Sequence, residues 1–414
     1  MVNKKGKNHR TRSSISGLSA LLAAFTLSSC GADSSAATPQ ESFITLAPSP
    51  APSPSPSPAP ILSLNSGTTV PPTEPSEVPI DGFDQIPSNF DVDEWLVPSW
   101  GNGLIPDSNE PDVVGAFRFI CNPSHLAYAD PIVYPNEPSK SHLHQFFGNT
   151  LTDANSTYES LRKTGESTCN NKLNRSAYWI PAMHDGHGKI VLPDYLSIYY
   201  KREPDDAEIC TREAGKGCIK LPRGLRYVFG FDMAKPTETT TVHFNCMGQG
   251  AKPGNYENLV DLIQECPVNE QIGALVSAPQ CWNGVDLDSP NHRDHMAYAQ
   301  RNRNTGLVSC PSSHPWRIPT FTVAAWYTSD SNLSDWYFDS DRMPGMPEHI
   351  PGSTFHSDWF GAWDDNVMDK WTSNCVNLLL NCSGGDLGNG EQLKMFAGFS
   401  WTANPRLVNP PTRN

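Results

Sequence analysis

The 414-residue chain predicts a mainly β protein: a β-sandwich or jelly-roll-like single domain with long loops and few short helices. Three observations carry this expectation. Short runs rich in aromatic and β-branched residues recur from residue 115 onward, and Gly, Pro, Asn and Asp punctuate them. Long helical periodicity is scarce. Neither βαβ alternation nor a repeat of fixed period is present, which leaves packed antiparallel sheets as the architecture that buries such strands.

The strand-like runs are Gly115–Cys121, Tyr195–Tyr200, Leu225–Phe231, Thr239–Phe244 and Pro319–Tyr327. The best helical candidates are Asn258–Glu265 and Asp364–Leu379. The block from residue 90 to 414 is uniform in composition and is assigned to one globular domain. Residues 30–89 are assigned to a tether. They include an alternating Ala/Ser-Pro tract that favours extended polyproline II and cannot bury a core.

Residues 1–29 have the pattern of an export signal. Lys4, Lys5, Lys7, Arg10 and Arg12 precede an apolar stretch, about Ile15 to Leu27, that is short for a membrane span. It ends in Leu27-Ser28-Ser29-Cys30, which resembles a bacterial lipobox with Cys30 as the lipidation site. The expected location is therefore extracytoplasmic, lipid-anchored to the cell envelope at the outer membrane or cell surface, with the membrane contacted through that anchor. Of 11 cysteines, ten remain after Cys30, an even number suited to disulfides in an oxidising compartment. Cys210–Cys218 and Cys375–Cys382 are close enough in sequence to close short loops. The formal charge is -14, and losing the five basic residues of the signal leaves the rest near -19. An acidic exported chain makes a poor nucleic-acid binder, and no nucleic-acid partner is expected.

Histidines supply the candidate chemistry. His142 and His144 are two apart, so on a strand both rings leave the same face, close enough to chelate one ion. His314 lies between a Cys-Pro pair and Pro315, a rigid setting for a ring. These three are the candidate ligands of a divalent transition metal, zinc or copper. His356 and Asp358 also have spacing two and, with His295, are the candidates for proton transfer. Trp282, Trp316 and Trp359 lie in or near the same segments and are candidates for stacking on sugar rings. His125, His184 and His187 read as loop residues, and His243 and His349 as structural. Walker, dinucleotide, Gly-x-Ser-x-Gly and His-Glu-x-x-His patterns are absent from the sequence.

Several of these segments together resemble the domain of unknown function 1996 (DUF1996) family, here as a bacterial lipoprotein member. The resemblance spans about Val114 to Asp365. It runs through Asp130-Pro-Ile-Val133, His142-Leu-His144 with Phe147-Gly-Asn149, Ala177-Tyr-Trp-Ile-Pro181 and Gln280-Cys-Trp-Asn-Gly284. It continues through His292 to Tyr298, Cys310 to Pro315, and Phe355-His-Ser-Asp358 with Gly361 to Asp364. Fungal members commonly carry Asp where this chain has Asn283, which argues against an acid role there. The family's occurrence in secreted proteins beside wall-associated carbohydrate-binding domains implies an extracellular glycan or cell-wall polymer as partner. The expected function is thus a surface-anchored protein whose His-rich pocket, with a metal, acts on such a polymer. The alternative is a non-enzymatic carbohydrate-binding or wall-associated protein with a structural histidine cluster.

Overall fold

A computed structural model describes residues 74–99, 114–211, 216–301, 303, 306 and 308–413. The signal segment, Cys30 and the Ala/Ser-Pro tract lie outside the described residues.

The main strands are β1 (Gly115–Cys121), β2 (Leu126–Ala127), β3 (His144–Gly148), β4 (Ala177–Pro181), β5 (Tyr195–Arg202), β6 (Arg226–Gly230), β7 (His243–Met247), β8 (Gln271–Ser277), β9 (Thr320–Thr328), β10 (His356–Phe360) and β11 (Asn381–Cys382). They form a six-stranded sheet ordered β7-β8-β9-β5-β1-β11 and a five-stranded sheet ordered β6-β10-β4-β3-β2. Neighbours pair antiparallel throughout, except β1 with β11. Strand β5 shows why the sheets stack: buried and half-buried residues alternate along all eight positions, so one face is apolar. The apolar faces meet. Phe119, Tyr200 and Phe321 of the larger sheet share one core with Tyr178, Tyr227 and Trp359 of the smaller. The Phe119–Tyr178 ring centroids are 6.4 Å apart and the Phe321–Trp359 centroids 5.2 Å apart. This is a mainly β single domain built as a sandwich, as the strand pattern predicts. Burying each such ring stabilises the domain by about 1.5–3 kcal/mol.

The helices are short. Helix α1 (Tyr158–Lys163) is capped by Thr157, whose side chain accepts from Ser160 N. Helix α2 (Leu259–Ile263) falls within the predicted segment and is capped by Asn258. Helix α3 (Asp365–Trp371) starts at its Asp364 cap and runs into a π-helical turn, Thr372–Val376. Among the described residues no helix is long and apolar enough to cross a membrane.

The tether boundary needs correction. Residues 76–88 bind along the domain. Ile80 N donates to Gly284 O (3.0 Å) and Phe83 N to Arg223 O (3.0 Å), and the Phe83 ring stacks on Tyr158. Arg162 donates to Ile86 O, and Ser88 Oγ to Asp364. The prolines in this stretch disguise docking made by Phe83 and Ile86.

All ten cysteines of the domain are paired: Cys121–Cys169, Cys210–Cys218, Cys246–Cys266, Cys281–Cys310 and Cys375–Cys382. Such a framework belongs to an extracytoplasmic protein. Thiol titration of the denatured, unreduced domain is expected to find almost no free sulfhydryl outside Cys30; four or more would refute this pairing.

Candidate metal centre

The five-stranded sheet has an outer face as well as its core face. Residues two apart on one strand share a face, so His144 travels with Phe146, and His356 with Asp358 and Phe360. The register aligns them. Phe146 and Asp358 both lie opposite Trp179 on β4, which separates their strands. At one end this face is apolar, where Phe146, Trp179 and Phe360 pack under Leu161 and Ile132. At the other end it carries the two histidines and the aspartate. Gly230 lies opposite His356 in β6 with φ +96°, and a Cβ there would fall 2.9 Å from His356 Cα. A larger residue would push His356 out of place.

Three rings meet here: His142, His144 and His356. Their centroids are 4.1 Å (His142–His144), 5.2 Å (His142–His356) and 6.1 Å (His144–His356) apart. One ligand atom from each lies within 4.8 Å of the other two. His144 Nδ1 donates to Ala129 O at 3.0 Å, and His356 Nδ1 to Thr354 O at 2.9 Å. A carbonyl can only accept, so each ring keeps its proton on Nδ1 and its lone pair on Nε2. The Nε2 atoms of His142 and His144 are buried with no hydrogen-bond partner. Burial, first, and neighbouring imidazoles, second, push the His142 ring well below its ordinary range and His144 down to about 3. Burial brings His356 to about 4. At neutral pH all three rings are neutral, the protonation state that ligates metal.

The turns that aim these rings are themselves anchored by buried carboxylates. Asp130 Oδ1 accepts from Ile132 N and Val133 N, both at 2.9 Å, and so fixes the turn beginning at Ala129. Asp341 accepts from Phe338 N, Gly352 N, Thr354 N and Thr354 Oγ1. His142 is held from both sides. Leu143 N donates to Asp339 Oδ2 at 2.7 Å. Arg413 donates to Ser139 O at 3.0 Å and Ser141 O at 2.6 Å, with its guanidinium over Tyr128. Arg413→Gln is expected to weaken metal binding about tenfold, as loss of an orienting partner does, while shifting the metal-free Tm by only a few degrees. Calorimetric titration and thermal melts check this; unchanged affinity would remove the orienting role.

Asp358 adds charge. Its Oδ2 lies 4.0 Å from His356 Nε2, and neither oxygen has a hydrogen-bond partner although the side chain is buried. Burial, and then the nearby Asp130, raise its carboxyl well above the usual range. Asp130 is raised too, by burial, while the N–H groups of Val133 and Ile132 pull it back. A cation bound beside this pair would favour the charged form of both carboxyls. His142, His356, Asp130 and Asp358 line a cleft of about 490 Å³, whose walls also include Phe231 and Arg293, while His144 lies buried behind them.

The remaining sequence candidates lie elsewhere. His295 is fully buried; its Nε2 donates to Arg226 O (3.0 Å) and its Nδ1 is 2.9 Å from Ser289 Oγ. His314 Nε2 donates to Asp294 O (2.8 Å), and its Nδ1 is 2.9 Å from Ser313 Oγ. Both rings have both nitrogens engaged and neither belongs to the trio. His356 takes the third position that the sequence pattern offered to His314. The expectation of stacking tryptophans is also corrected. Trp282 and Trp359 have no exposed area and Trp316 only 7 %, because all three fill the core. Asn283 is a turn former, accepting from Val285 N and Asp286 N. His125 Nε2 donates to Thr152 O and its Nδ1 accepts from Ser124 Oγ, and His184 and His187 pair with Asp339 and Asp335. Sequence reasoning passed over Asp341, Arg413 and Arg293. It also gave Asp130 no role, although an Asp-Pro two residues before β-branched Ile132 and Val133 is a turn signal.

Fold and centre together define a disulfide-braced β-sandwich with a three-histidine group that could hold a metal ion. The chain belongs to the family described as domain of unknown function (DUF1996), whose model matches residues 130–363. That span contains Asp130, the histidine trio and Asp358, while Arg413 lies beyond it. No curated protein and no solved structure matches the chain.

Proposed function

We propose that this is an envelope-anchored protein that holds a divalent transition metal on His142, His144 and His356 and acts on an extracellular glycan or cell-wall polymer. One observation carries the metal reading: buried Nε2 atoms on His142 and His144 that have no hydrogen-bond partner, in rings whose Nδ1–H or backbone is fixed from behind. Leaving such atoms unpaired in a dry site is costly, and a metal ion removes that cost. A bound metal there supplies Lewis acidity and lowers the pKa of water. The protein's own groups do the rest. Asp358, with both oxygens free and two residues from His356, takes up or returns a proton. Arg293, held by Gly230 O and Phe231 O, presents a fixed charge to the cleft. The cleft is open enough to admit part of a polymer. The glycan itself is supported by the family's company among wall-associated proteins and by the export pattern at residues 1–30, where a lipid on Cys30 would anchor the chain.

The non-enzymatic alternative makes the histidines a structural hydrogen-bond cluster, and it requires satisfied ring nitrogens. His295 and His314 fit that description, and the trio does not. Elemental analysis of protein purified without a His tag tests the reading. About one equivalent of metal is expected, lost on chelation and absent from His144→Ala. A metal-free protein that takes up none on titration overturns it. A glycan degradation screen with chelated and reloaded protein then tests the substrate.

A further inference from the structure

We propose that the ion taken by this centre is copper, drawn in over thioether donors at the mouth of the cleft; the inference rests on the three-histidine reading above. The observation is the position of the methionines. Met233 and Met343 come from separate segments and line the same cleft as His142 and His356. Met233 is 37 % exposed, and Met346, one turn after Met343, is 49 % exposed, its N–H donating to Met343 O. The chain has nine methionines, Met1 among them. Two of the nine therefore line this one cleft, with Met346 one turn from Met343, where a wall of Leu or Val would exclude water equally well.

The donor chemistry distinguishes copper from its competitors. Thioether sulfur contributes little to zinc, calcium or magnesium, which prefer nitrogen, thiolate or oxygen, but it is a good donor to cuprous copper. Imidazole suits copper in both oxidation states, and cupric copper stands highest in the divalent affinity order. Thiolates, the usual soft ligands, are not on offer in the domain: all ten cysteines are in disulfides. In an oxidising compartment methionine is the soft donor left. The mutually close ligand atoms of the centre are all nitrogen, since Asp358 stands outside that group. A hard, oxygen-seeking cation would find no preformed shell. The site is thus a nitrogen cradle reached past sulfur, which fits copper entry better than any other common ion.

The test uses the full chain, stripped of metal by chelation. It is exposed to an equimolar mixture of copper and zinc sulfates, desalted and analysed for both metals. Cuprous affinity is measured in ascorbate against bicinchoninate, and zinc affinity by calorimetry. Copper is expected to exceed zinc at least about tenfold in the recovered protein, in line with the affinity order. Met233→Leu with Met343→Leu, a swap that keeps volume and fold, is expected to weaken cuprous binding about tenfold and leave zinc affinity alone. Zinc in excess, or a double variant that binds cuprous copper like the unaltered chain, overturns the copper inference. If zinc then binds and is lost in His144→Ala, the three-histidine reading stands without it. If neither metal binds, both fall.

Discussion

His144→Ala is expected to abolish metal binding, by on the order of a thousandfold or more, while leaving the domain folded. The ring supplies one of only three nitrogens, and two imidazoles without a third ligand hold a divalent ion poorly. Its structural contribution is modest. Nδ1 makes one bond, to Ala129 O, and Nε2 makes none. The strand itself stays paired through the backbone on both sides, with β2 and β4. Truncation strands one backbone carbonyl and leaves a small cavity, so the metal-free Tm should fall by only a few degrees. His295→Ala supplies the contrast. That ring is as deeply buried, and its removal leaves Arg226 O and Ser289 Oγ short of a partner. It should cost about 2–3 kcal/mol and leave metal affinity unchanged. Elemental analysis and urea unfolding of the two variants separate ligand from scaffold. The same loss of stability and the same metal content in both would sink the trio as a metal centre.

How much of this was legible follows from what spacing encodes. A period of two reveals which residues share a strand face, so His142 with His144 and His356 with Asp358 were readable as pairs. It says nothing of which strands become neighbours. The order β6-β10-β4-β3-β2 brings the strand of residue 356 to within one strand of that of residue 144, across more than two hundred intervening residues. That is why His356 and not His314 joins the pair. Local rigidity around His314 was real, but it serves a hydrogen bond to Asp294 O. The tryptophans illustrate a second limit. Composition counts aromatic rings without telling which way they face, and Trp359 shares a strand with His356 yet points into the core, because it is odd in register with His356 and Asp358. The strands β1, β5, β6 and β9, both short disulfide loops and the two helix starts were visible because each is a local decision: alternation, ring closure, a capping side chain; β3, β4, β8 and β10 were not among the predicted runs. Asp341 was invisible because its partners come from three separate positions along the loop from Phe338 to Thr354.

That residue gives the second large effect. Asp341→Ala is expected to destabilise the domain by about 3–5 kcal/mol, the range for breaking a buried charged network. Asp341 is fully buried and accepts from three backbone N–H groups and the Thr354 hydroxyl at 2.7–3.2 Å. Alanine strands all four donors without admitting water. Their individual costs of about 1–3 kcal/mol do not add fully, since the loop relaxes. The second consequence reaches the centre. Thr354 O holds the Nδ1–H of His356, so a loosened loop lets that ring turn and its lone pair leave the trio. Burial raises the Asp341 carboxyl, and the Gly352 N–H and Thr354 Oγ1–H pull it back, so removing these donors' acceptor removes the contacts that offset its burial. Asp341→Asn separates the two roles. It preserves shape and part of the acceptor set, and it should fold with a loss nearer 1–2 kcal/mol while still costing about tenfold in metal affinity. Denaturant unfolding and metal titration of both variants read this directly. If Asp341→Ala lies within about 1 kcal/mol of the unaltered domain, the loop is held by something else. If Asp341→Asn binds metal undiminished, His356 is aimed by the strand alone.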